Sequence, residues 1–578
     1  MGLISRKTLP GVLLLGAAVC PLAAAPKLRL NETAVGPVSV AQGANGPART
    51  LEAYNAGDGT LSLTVASSVP WLAATVGAQR ACAARAGLCL PIQVALNTAT
   101  LARGSYTGTL TVADPNALDA PQTVTVTVLA GGGVPDRLDL FVAPNGSVAE
   151  AGFTANNSLQ ARASTESGGN WLSVALEGTG SFRFVLSYKV TARHLPGMAE
   201  GTYRGSVTVS GAGVPADNKS FPVALQVTSR PIAQASPSKL ALRYAQNISR
   251  QRINLVVSNL GLGSLSISGA TAATSSGGNW LAAEPVAGYP VVQAVVDTAG
   301  LAPGWYQGTV SLATNASNAT LSVPVQLEVV AQSAPRALAQ GVVNNATFQA
   351  GEAVAQGAIA AVFGEQFTLK DPAQAAALPL PQELGGVRVL VNDRPAPVYY
   401  ASYGQINFQV PYDAAPGDAV VRVERDGQRG NPISLAITPS APRLLRLGIG
   451  DYGIVVNQDG TFPIPVTPGL ASRPARIGDA LVIYAIGLGP TTPAVAGGAA
   501  APSDPLARVE PPFSVIFGGA FSWSGIPVAP LFAGLTPGFV GLYQINVIVP
   551  EEAPISDRVR LSLARDGLAS NAVEIAIQ

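Results

Sequence analysis

Imidazole is nearly missing from this chain: His194 is the only histidine in 578 residues. Catalysis of the Ser-His-Asp kind needs an imidazole to take the proton. His194 sits in Thr191-Ala192-Arg193-His194-Leu195-Pro196, ahead of a turn, and reads as an exposed loop histidine. Charge is scarce as well, at 12% of residues, with 35 basic and 34 acidic side chains intermixed to a net of +1. No basic stripe exists to neutralise phosphates, which argues against nucleic acid as a partner. No segment beyond the N-terminal leader holds 18 apolar residues in a row, so no transmembrane helix is expected in the mature chain. Phosphate-loop and dinucleotide fingerprints need a parallel βαβ setting that the sequence never offers. The acids stand singly in turns, as at Asp58, Asp114, Asp426, Asp459 and Asp566. There they bond their own backbone, and no Asp-x-Asp string supplies the converging oxygens that calcium wants. No catalytic, metal or cofactor-binding residue is therefore expected.

What the chain has in quantity is turn formers and β-branched residues. It carries 62 glycines and 46 prolines, and 48% of its residues are hydrophobic. That apolar fraction excludes disorder, and the mixture predicts many short strands joined by tight turns. A length of 578 residues is too great for one core and predicts several domains.

The N-terminus predicts export. Arg6 and Lys7 precede an apolar run from Val12 to Cys20, and Ala23-Ala24-Ala25 offers small residues for cleavage, so residues 1–25 read as a signal peptide. Val19 stands where a lipidation motif wants a small residue, which argues against Cys20 as a lipid anchor. The mature chain then holds only Cys82 and Cys89, seven positions apart, and an oxidising compartment predicts a disulfide between them.

Internal repeats organise the remainder. Ser167-Gly168-Gly169-Asn170-Trp171-Leu172 returns as Ser276-Gly277-Gly278-Asn279-Trp280-Leu281, with a weaker copy at Val69-Pro70-Trp71-Leu72. Each copy is followed by a second signature: Gly104-Ser105-Tyr106-Thr107-Gly108, Gly201-Thr202-Tyr203-Arg204-Gly205 and Gly304-Trp305-Tyr306-Gln307-Gly308. A spacing near 100 residues with frequent turn signals is what a seven-strand sandwich requires. Three units follow, at 26–131, 132–230 and 231–333. The Trp-Leu and Gly-x-Tyr-x-Gly arrangement resembles the BACON family of immunoglobulin-like modules, a resemblance that implies carbohydrate binding.

From about residue 338 a different repeat begins. Gly404-Gln405-Ile406-Asn407-Phe408 recurs as Tyr543-Gln544-Ile545-Asn546-Val547, and Arg425-Asp426-Gly427 recurs as Arg565-Asp566-Gly567. Two related sandwich halves are predicted, 338–440 and 441–578, each ending in an Asp-Gly hairpin. With Val342-Val343-Asn344-Asn345-Ala346 and Tyr484-Ala485-Ile486-Gly487-Leu488-Gly489-Pro490, these strings resemble an uncharacterised C-terminal domain family of secreted acidobacterial proteins. That resemblance implies a β-sandwich region on exported proteins and no established activity.

The expected fold is thus all-β: about five tandem immunoglobulin-like sandwiches behind a signal peptide. Trp71, Trp171, Trp280, Tyr106, Tyr203 and Tyr306 occupy repeated positions and are expected in the cores, because large aromatics fill small sandwiches. Trp305 and Trp523 are less regular, and are candidate ligand contacts. Pro135, Pro231 and Pro335 near the junctions predict a rod with limited bending. Gln405 and Gln544 are expected to satisfy buried backbone near a turn. The expected function is a non-catalytic exported protein for surface, envelope or matrix interactions, its partner an extracellular protein or polysaccharide. Polysaccharide binding through the N-terminal repeats is the alternative.

Overall fold

The computed structural model describes residues 25–155, 159–177, 186–519 and 524–578. Residues 1–24, which fall in the segment read as a signal peptide and include Cys20, and Trp523 lie outside them. Every regular element among the described residues is a strand, save one short 3-10 turn at Pro215–Asp217. Five buried apolar clusters, each confined to one stretch of sequence, form the cores of five sandwiches, named units 1 to 5 in chain order.

Unit 1 shows how the alternation builds a sandwich. In Gln122–Ala130 the residues Val124, Val126 and Val128 are fully buried while Thr123, Thr125 and Thr127 face the other way. Period-2 patterning puts one face of the sheet in the core. That strand pairs antiparallel with Gly104–Ala113 and parallel with Ala34–Val40. The opposing sheet runs Leu28–Leu30, Gly46–Asn55, Leu88–Leu96, Leu72–Val76. Unit 3 repeats both strand orders, without the short Arg80–Ala81 strand that also pairs with Leu88–Leu96 in unit 1. Unit 2 carries three strands in its second sheet where unit 3 has four, with no counterpart of Leu28–Leu30 or Ala233–Ser236 among the described residues.

The two repeated signatures are one packing device. Gly205 and Gly308 lie beneath the tryptophans: a Cβ at either would come within 3.3 Å of the Trp171 or Trp280 ring, and closer still to the neighbouring Leu172 or Leu281. Gly168 and Gly277, at φ near +79°, lie closer still to the Tyr203 and Tyr306 rings, which a Cβ would meet at 2.6 and 2.5 Å. Each indole donates to the carbonyl four residues before it, Trp171 Nε1 to Ser167 O and Trp280 Nε1 to Ser276 O, both at 2.9 Å. Each phenol does the same, Tyr203 to Ala199 O at 3.0 Å and Tyr306 to Ala302 O at 2.9 Å. The Gly-Gly turn, the indole and the tyrosine thus lock together at one end of the sandwich. Gly308→Val should therefore destabilise unit 3 by about 1–3 kcal/mol through overpacking, read as a lowered unfolding transition of that unit by calorimetry.

Units 4 and 5 share the hairpin predicted for them. Asp426 and Gly427 have φ of 48° and 80°, as do Asp566 and Gly567. Positive φ at both central residues is the type I′ turn that matches strand twist. Asn431 brackets Ala337 with two backbone bonds, and Asn571 brackets Leu444 in the same way.

The chain is not a rod. After Ala130 it turns a corner at Gly131-Gly132-Gly133, with φ of 86° at Gly131 and 103° at Gly132. The buried Asp217 carboxylate accepts the Gly133 and Val134 N–H groups at 3.1 and 2.8 Å, fixing the exit into unit 2. The corner folds unit 1 back on units 3 and 4, although Pro135 stands where a straight junction is expected. Three glycines, not the proline, set the direction.

Candidate functional site: the junction of units 1, 3 and 4

The outer face of the unit 1 sheet lies on the outer face of unit 3. Thr107 and Thr109 alternate with core residues along Gly104–Ala113 and would face water in a free sandwich. Instead Thr107 Oγ1 donates to Gln326 Oε1 at 3.1 Å, and Thr109 Oγ1 to Glu328 Oε2 at 3.2 Å. Both acceptors lie on the solvent-side register of Thr320–Val330, the strand whose other face holds Val323, Val325 and Leu327 in the unit 3 core. Glu328 is 5% exposed.

Buried carboxylates need hydrogen bonds and a counter-charge, and the junction provides both. Arg243 Nε meets Glu328 at 2.9 Å, and its Nη1 meets Glu365 of unit 4. Arg336 lies on the far side of Glu365, 3.9 Å away, and its Nη2 donates to Thr123 Oγ1 of unit 1 at 3.3 Å. Burial lowers the Arg336 guanidinium below the ordinary arginine value, with Glu365 opposing the shift. Two arginines and two glutamates of units 3 and 4 thus alternate, with Thr109 and Thr123 of unit 1 bonded to Glu328 and Arg336. Beside them Tyr244 and Tyr403 meet edge to face at 5.1 Å, in a small apolar cluster with Ala245 and Ile248 that joins units 3 and 4.

A second contact ties unit 1 to unit 4. Asp119, wholly buried, accepts the Ser434 N–H at 2.9 Å, the Ser434 hydroxyl at 2.8 Å and the Arg29 guanidinium, while its own N–H donates to Pro432 O at 3.0 Å. Lys27 pairs with Asp418 at 2.7 Å on the rim of a cavity of about 470 Å³ between the two units.

The residues expected in the cores are distributed as follows. Trp71, Trp171 and Trp280 are buried, while Tyr106, Tyr203 and Tyr306 are half-buried and packed against the same clusters. Trp305 is half-buried at the junction, paired across the sheet with Glu328, and its Nε1 reaches Ser68 Oγ of unit 1 at 3.4 Å. Cys82 and Cys89 form a disulfide. Glu52 beside them accepts the Ala83 N–H at 3.0 Å and pairs with Arg80 at 3.0 Å, so its position is accounted for without an ion. Closing so short a loop is worth about 2.5 kcal/mol by denatured-state entropy. Cys82→Ser should thus lower the unit 1 transition by no more than that, as measured by denaturant unfolding.

His194 has both ring nitrogens on backbone: Nδ1 accepts from Gly146 N–H at 3.2 Å, and Nε2 lies 3.2 Å from Met198 O. Gln405 and Gln544 differ from expectation. Their amides reach side chains, Gln405 Nε2 to Asn407 Oδ1 at 2.8 Å and Gln544 Nε2 to Asn546 Oδ1 at 3.3 Å. Residues two apart in a strand share a face, so each amide pair lines one side of its strand rather than closing a turn. Reasoning along the chain missed Asp119, Asp217, Arg243, Glu328, Glu365 and Arg336, which stand in no motif.

No family model matches the chain, and no curated protein matches it. Among solved structures, an endo-fucoidan hydrolase of glycoside hydrolase family 107 is 12% identical over 54% of this chain and 45% of its own, with a TM-score of 0.18. The chain thus spans less than half the length of that enzyme. Drosophila N-cadherin EC1-4 is 12% identical over 70% of this chain and all of its own, with a TM-score of 0.19. The protocadherin gamma-B4 extracellular domain is 14% identical over 96% of this chain and 85% of its own, with a TM-score of 0.14. Likenesses at this level carry no statement about ligand or activity. No helix among the described residues is long and apolar enough to cross a membrane.

Proposed function

We propose that the chain is a non-catalytic, exported scaffold for interactions at the cell surface, envelope or matrix, with units over the spans read from the sequence. The observation that supports it is where the reactive groups are used. Glu328, Glu365, Asp119 and Asp217 are committed to holding sandwiches to one another or to shaping the corner between them. His194 is occupied by backbone on both nitrogens. Groups used in this way link units to one another, as a scaffold of several sandwiches requires.

The BACON-like reading, with polysaccharide held on the repeated tryptophans, is less favoured. Sugar faces stack on open rings, whereas Trp171 is 1% and Trp280 3% exposed. On a glycan array the full chain should show no retention that depends on these rings. Incubated with envelope and matrix fractions, the same labelled chain should be retained saturably and leave the material unhydrolysed. Absence of saturable retention on every fraction, or release of soluble fragments from one of them, would overturn the proposal.

A further inference from the structure

We infer that unit 1 is a detachable arm: it pivots at Gly132 between the docked position seen here and an open one, and the polar junction is its catch.

The first support is the distribution of apolar contact. Among the described residues, the unit 1 cluster contains only unit 1 residues, and no cluster mixes them with residues of units 3 or 4. Units 3 and 4, by contrast, share Ala245, Ile248 and Tyr403. Large apolar interfaces hold domains rigidly, and small polar ones leave relative motion as the default. Unit 1 is therefore the member of the trio whose release leaves every core intact.

The catch is made of groups that water can satisfy. The Thr107–Gln326 bond is neutral and is exchanged for water at a net cost of about 0.5–1.5 kcal/mol, while the bonds of Thr109 to Glu328 and of Ser434 to Asp119 end on carboxylates and cost about 1.5–3 kcal/mol apiece. The Arg243–Glu328 pair lies within unit 3 and the Arg243–Glu365 pair between units 3 and 4, and both survive the release of unit 1. The charged groups that must be hydrated anew are Asp119, which loses Ser434, Glu328, which loses Thr109, and Arg336, which loses Thr123, together with the Lys27–Asp418 pair, whose aspartate is 70% exposed.

The pivot is equally specific. Gly131 N–H bonds Val40 O of unit 1, and Gly133 N–H bonds Asp217 of unit 2. Gly132 therefore stands between two anchored residues, at a φ of 103° that other residue types rarely adopt. The other end of unit 2 is tied to unit 3, where Thr228 bonds Ser317 at 2.9 Å and Arg230 bonds Asn315 O at 3.0 Å.

Double electron–electron resonance on the full chain tests this, with spin labels at Thr60→Cys in unit 1 and Gln382→Cys in unit 4, both exposed. The expected result is a short distance with a minor longer population. That population should grow as NaCl is raised from low salt to 1 M, which screens the exposed pairs. Asp119→Ala should make the long distance dominant. Thr107→Arg wedges the same interface from an outer face that contributes nothing to the core, and should do likewise with the unit 1 melting transition retained. A single short distance, unmoved by salt and by Thr107→Arg, would overturn the inference. Saturable binding to envelope material bears on the scaffold reading separately and is read in a different assay.

Discussion

Trp171→Ala should cost unit 2 about 3–5 kcal/mol, the range for removing a large buried aromatic, and should lower its folding transition accordingly. Trp171 is among the largest fully buried side chains of the protein. Its ring lies over Gly205, a Cβ on which would be 3.3 Å from the indole. Truncation leaves a hole where the neighbouring strand is shaped to fit a ring and has no side chain of its own to fill the space. The Gly168–Gly169 turn would lose its anchor at the same time, because Ser167 O would no longer receive the indole N–H. In a domain near 100 residues, each kcal/mol shifts the midpoint by about 4–8 °C, so calorimetry should show the unit 2 transition displaced by tens of degrees while units 4 and 5 keep theirs. If the ring served as an open sugar platform, the same substitution would change binding and leave the transition in place.

The second large effect is expected from Asp217→Ala. The carboxylate is 1% exposed and accepts two N–H groups from the corner, those of Gly133 and Val134. Alanine would strand both donors out of reach of water, at about 1–3 kcal/mol each. The cost should appear in two places. Denaturant unfolding of unit 2 should fall by about 2–5 kcal/mol. Amide hydrogen exchange at Gly133 and Val134 should accelerate by orders of magnitude, since their protection rests on this one side chain. Asp217→Asn retains an acceptor oxygen of similar shape and should recover most of the stability. Equal exchange rates in Asp217→Ala and the parent would show that the corner is held by something else.

Much of this architecture is written locally. The Thr-Val alternation from Gln122 to Leu129 specifies a strand with one buried face, because side chains alternate at every residue whatever lies around them. The Gly-x-Tyr-x-Gly and Trp-Leu strings mark one sandwich end, because the second glycine leaves room for the tryptophan ring that lies over its strand. Asp-Gly at 426 and 566 calls the type I′ turn, since both residues tolerate positive φ. Cys82 and Cys89 pair because Cys20 is the one other cysteine in the sequence and stands 62 positions before Cys82.

The junction left no such trace. Thr107, Thr109, Gln326 and Glu328 are the polar residues of alternating strands, and such a pattern predicts a solvated face. Periodicity separates core from outer face but does not say what covers the outer one. Arg243 and Glu365 contact each other across 122 positions, and Thr109 and Glu328 across 219, distances over which neither charge nor spacing carries a signal. The prolines near the junctions pointed to a rod because proline stiffens a linker. The direction of the chain was instead decided by three glycines against one buried carboxylate. The sequence by itself determined the strands, turns, repeats and disulfide of each unit, for these depend on neighbours a few residues away. Only the tertiary structure decided that unit 1 folds back on units 3 and 4, since that choice rests on complementary polar faces that each unit presents as ordinary surface.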